Sequence, residues 1–339
     1  MRIGLAGVGR IGAFHAETLA RLPQVDELLI ADTDAVRARS VADKIGADKV
    51  GVRTAADISE LLGSALDGLV IAAATGAHAP LLIAAADAGI PAFCEKPVAP
   101  DVEGTLAVLD RVRSTGAAVH VGFQRRFDAG YRNARQALQE GRLGWVHTLR
   151  ATTLDPAPPP AAYIATSGGM FRDCSVHDFD IIRWVTGREV VRVYATGSNR
   201  GAGFFAAADD VDTLAAVLTL DDDSLAVVSA TRYNGAGYDV RLEVLGSQDS
   251  LSVGVDDRLP LHSAEPGAAQ PIAVPYPNFM ERFGQAYTDE LTAFTELIAS
   301  GGPSPCTVED ALEAFYVAEA CERSRHERRP VDLAEVRRG

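Results

Sequence analysis

The chain opens with MRIGLAGVGRIG, an apolar run that breaks into Gly7-Val8-Gly9-Arg10-Ile11-Gly12 and continues as the amphipathic stretch Ile11–Leu22. A lone G-x-G-x-x-G is a weak signal. Between a strand and a helix it has a physical reading: Gly7 permits the tight turn, Gly9 lets the backbone approach a pyrophosphate, and Gly12 lets the helix pack on the strand. The phosphates then meet the unpaired N–H groups of the helix N-terminus. A second half follows in register, because DELLIAD ends on Asp32, twenty positions after Gly12. A carboxylate there hydrogen-bonds the ribose hydroxyls of adenosine and repels a 2′-phosphate. No basic residue follows immediately (Thr33, Asp34), so the cofactor expected is NAD(H) rather than NADP(H), held by Gly7, Gly9, Arg10, Ile11 and Asp32. The bland alternative is a glycine-rich structural turn beside a surface aspartate.

The rest of the first 121 residues keeps the same rhythm. DELLIAD, DGLVIAAAT, IPAFCEK and AAVHVGF are short and apolar on both faces, as strands of a buried parallel sheet are. Between them Asp34–Gly46, His78–Gly89 and Asp101–Gly116 carry apolar residues at three- and four-residue intervals. Alternation of this kind predicts a doubly wound α/β domain over residues 1–121, a Rossmann-type dinucleotide-binding domain. With 339 residues the chain is too long for one ordinary core. A second domain is therefore expected over 122–339. There a helix near Tyr131–Gly141 leads into WVHTLRATTL, the stiff loop DPAPPP and the alternating runs VVRVYAT, VDTLAAVLTL, LAVVSATRY and YDVRLEVLG. These predict a mostly antiparallel sheet with one face packed and one freer. Two helices close the chain, the last with Thr307 as N-cap and Asp310 three residues on.

Charge removes several function classes. A net charge of −14 and a pI near 4.9 argue against nucleic-acid binding, which needs a basic stripe, and against an anionic membrane surface. No run approaches the roughly 18 apolar residues of a bilayer span. The N-terminus does not read as a signal peptide, and Cys94, Cys174, Cys306 and Cys321 lie far apart with no CxxC spacing. Reduced thiols in a cytoplasmic protein are the expectation.

Two segments can carry chemistry. Cys94-Glu95-Lys96-Pro97 stands at the end of the fifth strand, and carboxyl ends of such strands face the ligand crevice. An ammonium at Lys96 stabilises negative charge developing on a substrate oxygen, although a lysine after a strand is often a solvated loop residue. Residues 168–180 read GGMFRDCSVHDFD, with Asp173 and His177 at a spacing that shares one helical face. That pair admits three readings: an acid–base pair, a metal site, or a helix entry with a core histidine. A metal needs three or four converging ligands, and only two share the face. Histidine has the pKa to accept a hydroxyl proton and return it, which oxidation of a secondary alcohol requires. Around these, Thr75, His78, Glu95 and Lys96 itself are candidates to border the cofactor, whereas His15 reads as packing. Asp155, Tyr163, Arg125 and Tyr238 are candidates to reach substrate hydroxyls, each equally open to a structural role. Asp178 and Asp180 read as acidic residues favouring a helix N-terminus.

Taken together, GVGRIG, Asp32, AATGAHA (73–79), EKP (95–97) and GGMFRDCSVHDFD resemble the Gfo/Idh/MocA family of pyridine-nucleotide sugar and cyclitol dehydrogenases. The likeness runs over nearly the whole chain. It is closest to the inositol 2-dehydrogenases, through the Pro-rich DPAPPP loop, GFQRRFD (122–128) and GYDVRLEVLG (237–246). The resemblance implies an N-terminal Rossmann domain, a C-terminal α/β domain with a large open sheet, and a homotetramer or homodimer. It also implies that Lys96, Asp173 and His177 line the catalytic site, with Lys96, Asp173 and His177 touching the polyol. The expected reaction is NAD-dependent oxidation of a cyclic polyol such as myo-inositol to an inosose. A pyranose dehydrogenase, a 3-keto-glycoside oxidoreductase and a non-catalytic dinucleotide-binding regulator are the alternatives. Gln124 and Ala236 depart from the pattern of the inositol enzymes, which bears on the isomer accepted.

Overall fold

Six short strands carry the first part of the chain: β1 (Arg2–Ala6), β2 (Glu27–Ala31), β3 (Gly51–Thr54), β4 (Gly68–Ile71), β5 (Ala92–Glu95) and β6 (Val119–Gly122). All pair in parallel, in the order β3-β2-β1-β4-β5-β6. In the computed structural model, which describes residues 1–46 and 51–337, α1 (Arg10–Leu19), α2 (Ala35–Ile45), α3 (Ile58–Leu62), α4 (Thr75–Asp87) and α5 (Val102–Thr115) connect them. Helices on both faces explain why β4, and β1 and β2 after their first residues Arg2 and Glu27, are apolar and buried rather than alternating. The strand GVRT of β3 is largely exposed and carries no such run, so the sequence pattern does not disclose it. Strand order reverses between β1 and β4, the switch point at which open α/β sheets bind ligands.

The chain divides into two units, one of Met1–Gln124 with Tyr287–Leu312 and the other of Arg125–Ala286 with Glu313–Gly339. In the first, Leu291, Phe294 and Leu297 of the helix Gly284–Ser300 join Ile3, Leu5, Leu28, Ile30, Val70 and Phe93 in one core. Fully burying each such side chain contributes about 1.5–3 kcal/mol before entropy is counted.

The second unit is built on a seven-stranded sheet. Its strands are β7 (Val146–Leu154), β8 (Val190–Ser198), β9 (Thr213–Leu220), β10 (Leu225–Thr231), β11 (Asp239–Gly246), β12 (Ser250–Val253) and β13 (Val331–Asp332), in the order β12-β11-β7-β10-β9-β8-β13. The sheet is mostly antiparallel, but β7 and β10 run parallel, with Val227 opposite Arg150. Strands β9 and β10 alternate buried and exposed residues, so one face is packed and one is open. Across the open face Tyr194 pairs with Val217 and Val217 with Val227, all exposed. Against the sheet lie α6 (Ala129–Gln139), at β12, and α8 (Val176–Thr186), at β7; the short α7 (Ala161–Ile164) comes between them in the chain. The last long helix, Val308–Glu327, begins at a reciprocal capping box in which Asp310 N–H donates to Thr307 and Thr307 N–H donates to Asp310. Among the described residues no helix is long and apolar enough to cross a membrane.

Candidate active site

In the first unit, Gly7 has φ +92° and a side chain there would come within 2.6 Å of Ala73 Cα. At Gly12 a side chain would lie 2.1 Å from the Gly7 carbonyl oxygen. Both glycines are therefore required by packing. Gly9 is different: it is exposed and nothing lies within 4 Å of where its Cβ would be. It is also the N-cap of α1, and no side chain caps that helix. An open, uncapped helix N-terminus beside an exposed glycine fits a pyrophosphate, whose oxygens satisfy the first-turn N–H groups. Arg10 and Ile11 form the first turn of α1, with Arg10 exposed.

Asp32 follows β2 with its side chain only 4% exposed. Its carboxylate accepts the Val8 N–H at 2.8 Å and the Asp34 N–H at 2.8 Å, and Arg37 donates from Nη2 at 2.5 Å. Burial works against the charged form, but the bonds from Arg37, Val8 and Asp34 outweigh it and hold the carboxyl below its usual range. Arg37, a turn along α2, is the basic residue that inspection of Thr33 and Asp34 alone misses.

Lys96 is half-buried immediately after β5, and the Lys96–Pro97 peptide is cis. Its neighbour Glu95 lies 2.6 Å from His15 Nε2, so His15 is more than packing. Thr75 is the first residue of α4. His78 sits inside that helix rather than opening it, is 2% exposed, and has both ring nitrogens facing backbone carbonyls.

In the second unit the segment around Asp173 is wound as a π-helical turn, Phe171–Ser175, before α8 begins. Single π turns in otherwise α-helical stretches recur at functional sites. The simple α-helical spacing of Asp173 and His177 thus does not hold through this turn. Gly168 and Gly169 have φ +82° and +92° and steer the chain into it. This conformational demand, rather than room for a ligand, is what their backbone shows. Asp210 Oδ1 receives the Met170 N–H at 2.9 Å and so caps the turn from outside.

Asp173 is held from two sides. Tyr163 donates its hydroxyl to Oδ1 at 2.7 Å, and Arg232 donates from Nη2 to Oδ2 at 2.5 Å. The other guanidinium nitrogen of Arg232 reaches Asp155 Oδ2 at 2.7 Å. One buried arginine therefore gathers Asp155 and Asp173, and Tyr163 completes the group. Burial opposes the charge on Arg232, but the Asp173 and Asp155 carboxylates beside it drive its pKa well above the usual value. Burial pushes the Cys174 thiol itself up to about 12, which leaves it protonated. Of these four residues the sequence reading named Asp155, Tyr163 and Asp173; Arg232, after β10, carries no motif. His177 is half-buried in the first turn of α8.

Arg125 and Tyr238 are placed in the interior. Arg125 is 2% exposed and donates to Asp178 Oδ1 at 2.5 Å and Thr153 Oγ1 at 3.0 Å. Tyr238 is 6% exposed, and burial raises its hydroxyl pKa well above the usual value. Asp178 and Asp180 are not surface charges at a helix end: both are buried, Asp178 against Arg125 and Asp180 against Arg126 at 2.9 Å. Breaking such a pair leaves an uncompensated buried charge, so these contacts tie α8 to the turn that carries Arg125 and Arg126. Among the described residues no group of three or more His, Cys, Asp or Glu side chains is placed to hold a metal ion.

Comparison with known proteins identifies the family and the fold. A family model described as an oxidoreductase family with an NAD-binding Rossmann fold matches residues 1–123, and one described as the GFO/IDH/MocA C-terminal domain matches residues 131–252. A myo-inositol dehydrogenase of Streptomyces leeuwenhoekii is 38% identical over 326 residues, covering 96% of this chain and 97% of that one. The structure of a myo-inositol dehydrogenase from Corynebacterium glutamicum superposes with a TM-score of 0.89 at 32% identity, covering 98% of each chain. That of a scyllo-inositol dehydrogenase from Lactobacillus casei, with bound NAD(H) and scyllo-inositol, does so with a TM-score of 0.85 at 29% identity, covering 98% of this chain and 99% of that one.

Proposed function

Because the chain belongs to the Gfo/Idh/MocA oxidoreductase family and its first unit is an NAD-binding Rossmann domain, we propose that it oxidises one secondary hydroxyl of a cyclic polyol. The substrate class we assign is an inositol, with myo-inositol first and the scyllo and chiro isomers next, and the product is the inosose. The observation that carries this reading is the likeness to inositol dehydrogenases over nearly the whole chain, beside an Arg232–Asp173–Tyr163 group, built on a buried arginine, that includes the fourth residue before His177.

Gly7, Gly9, Arg10 and Ile11 would hold the pyrophosphate and Asp32 the adenosine ribose, while Thr75, which opens α4, and Glu95, which ends β5, would border the cofactor. NAD, when bound, supplies the hydride acceptor. The protein must then remove the hydroxyl proton, because an unassisted alcohol is far too weak an acid at neutral pH. His177 takes that proton as general base. Lys96 stabilises the negative charge that grows on the oxygen. Asp173, fixed by Arg232 and Tyr163, orients a hydroxyl or the imidazole and favours the charged ring. Asp32 makes NAD the preferred dinucleotide over NADP.

The test is a panel of inositols and pyranoses followed at 340 nm with NAD and with NADP. Inositol turnover with an NAD preference supports the reading. Turnover confined to pyranoses moves the substrate to sugars, and the order of the inositol isomers reads out the departures at Gln124 and Ala236. Tight NAD binding with no NADH formed marks a regulator. We further assign the exposed Tyr194, Val217 and Val227 stripe to a homo-oligomer contact, since apolar patches of this kind are usually covered. Light scattering that returns a monomer would reject it. The reduced cysteines, all buried, fit a cytoplasmic protein.

A further inference from the structure

Two buried histidines flank Lys96. On one side, His15 of α1 is fully buried and its Nε2 lies 2.6 Å from Glu95 Oε1. An ionised carboxylate only accepts, so Nε2 is the donor. The His15 ring is fixed edge-on by Phe93, with centroids 5.7 Å apart, and by Tyr287 at 5.8 Å. On the other side, His78 of α4 has Nδ1 2.7 Å from the Pro97 carbonyl oxygen and Nε2 3.0 Å from that of Ala73. An imidazole with one proton donates to one of these carbonyls, and a protonated ring to both.

The contacts close a circuit. Ala73 packs against Gly7, where even a Cβ would come within 2.6 Å of it. From Gly7 the path runs through Ala73 and His78 to Pro97, then back along the chain through Lys96 to Glu95, and through His15 into α1. That helix starts at Arg10, at the end of the same glycine loop. Lys96 thus stands between two residues, Glu95 and Pro97, each of which is tied through a buried histidine to an element that bounds the glycine loop.

We propose that His15 and His78 are positioning residues for Lys96, coupling dinucleotide seating at the glycine loop to the placement of the Lys96 ammonium. The inference rests on the reading that this loop takes NAD and that Lys96 serves the reaction. A role confined to packing would affect stability and leave Lys96 and the rate constants in proportion to the folded fraction.

The chain suits a direct test, because Lys44, Lys49 and Lys96 are its lysines. Reductive ¹³C-methylation keeps each charge and gives a short NMR spectrum, in which the Lys96 signal is assigned by its loss in Lys96→Arg. NAD is expected to shift that signal in the wild type. In His15→Leu and His78→Phe the shift is expected to disappear while NAD still binds within about threefold, and kcat on the polyol falls roughly 10- to 100-fold with KM for NAD nearly unchanged, the scale for a displaced catalytic group. His15→Gln and His78→Gln, which keep one donor, are expected to recover most of the shift, and they carry the test should the apolar variants not fold. An unaltered Lys96 shift in folded His15 and His78 variants, or a wild-type Lys96 signal indifferent to NAD, overturns the proposal. The NMR readout needs no turnover, so a protein that binds NAD but oxidises no polyol leaves this inference standing and removes only the substrate reading.

Discussion

The glycine loop and the Asp173 turn are built from different materials. The loop after β1 is backbone: Gly7 and Gly12 are small because main chain lies against them, Gly9 is small with nothing against it, and α1 presents an uncapped N-terminus. The turn before α8 is side chain and charge: Arg232 joins Asp155 to Asp173, Tyr163 closes on Asp173, and Asp210 caps the turn. Backbone N–H groups suit a group that must be held unchanged, because they neither titrate nor move. Side chains suit a step in which a proton must change place, because their protonation can be tuned by neighbours. The comparison predicts that damage to the loop should show in binding and damage to the turn in rate.

The largest effect should come from the proton acceptor. His177→Ala is expected to lower kcat by about 10²–10⁴-fold while NAD binding by fluorescence titration is retained. Near-normal turnover would remove His177 as base and break the division at once.

Next in size is Arg232. Its side chain is 6% exposed, and Asp155 and Asp173 are 20% and 11% exposed. Arg232→Met leaves two partly buried carboxylates without their shared cation, and losing one partner of a buried pair costs about 3–5 kcal/mol. Chemical denaturation should register that loss, and kcat should fall with it. Arg232→Lys should recover less than half of the rate, because an ammonium lacks the fork that serves both carboxylates. Equal stability of the methionine variant and the wild type would mean that the group is not held as a unit.

These two sites also differ in how far a sequence discloses them. The loop was legible because its geometry is local: three glycines at fixed offsets and a carboxylate twenty residues on are enough to state the turn, the helix and the cofactor. The parallel sheet followed from its apolar runs, except for exposed β3. The turn at Asp173 was legible only in part. Its residues come from positions 155, 163, 173 and 232, and nothing in the local pattern around Arg232 marks it as the link. Burial misled the reading of Asp178, Asp180, Arg125 and Tyr238. Acidic residues near a helix start look like dipole partners, and only the folded chain shows Asp178 and Asp180 against arginines 53 and 54 residues earlier. The π winding was also invisible, because Asp-x-x-x-His spacing is the same text whether the turn closes on the fourth or the fifth residue.

A smaller effect separates the glycines of the loop. Gly9→Ala places a Cβ in open space, so its melting temperature should match the wild type while NAD affinity drops about tenfold, the added methyl meeting the pyrophosphate rather than the protein. Gly12→Ala should instead lose stability as well, since its Cβ would meet the Gly7 carbonyl. Scanning calorimetry and NAD titration on the pair sharpen the comparison: if Gly9→Ala binds NAD normally, the open space above it is not the cofactor's.

The smallest effect tests whether the turn is tuned by burial. Asp210 is 6% exposed, and burial raises its pKa despite the N–H bonds from Met170 and Val211. A carboxyl raised in the folded state contributes its full stability below the unfolded value, and that contribution is lost as pH rises through the folded one. Asp210→Asn retains an acceptor for Met170 and does not ionise. Its melting temperature relative to the wild type should therefore climb as pH rises from the ordinary carboxyl range through the raised folded value, by an amount set by the size of the shift. A difference that stays flat over this range would show that the carboxyl capping the turn is no harder to ionise than one in water, and that charge near Asp173 is set by Arg232 rather than by the low-dielectric surroundings.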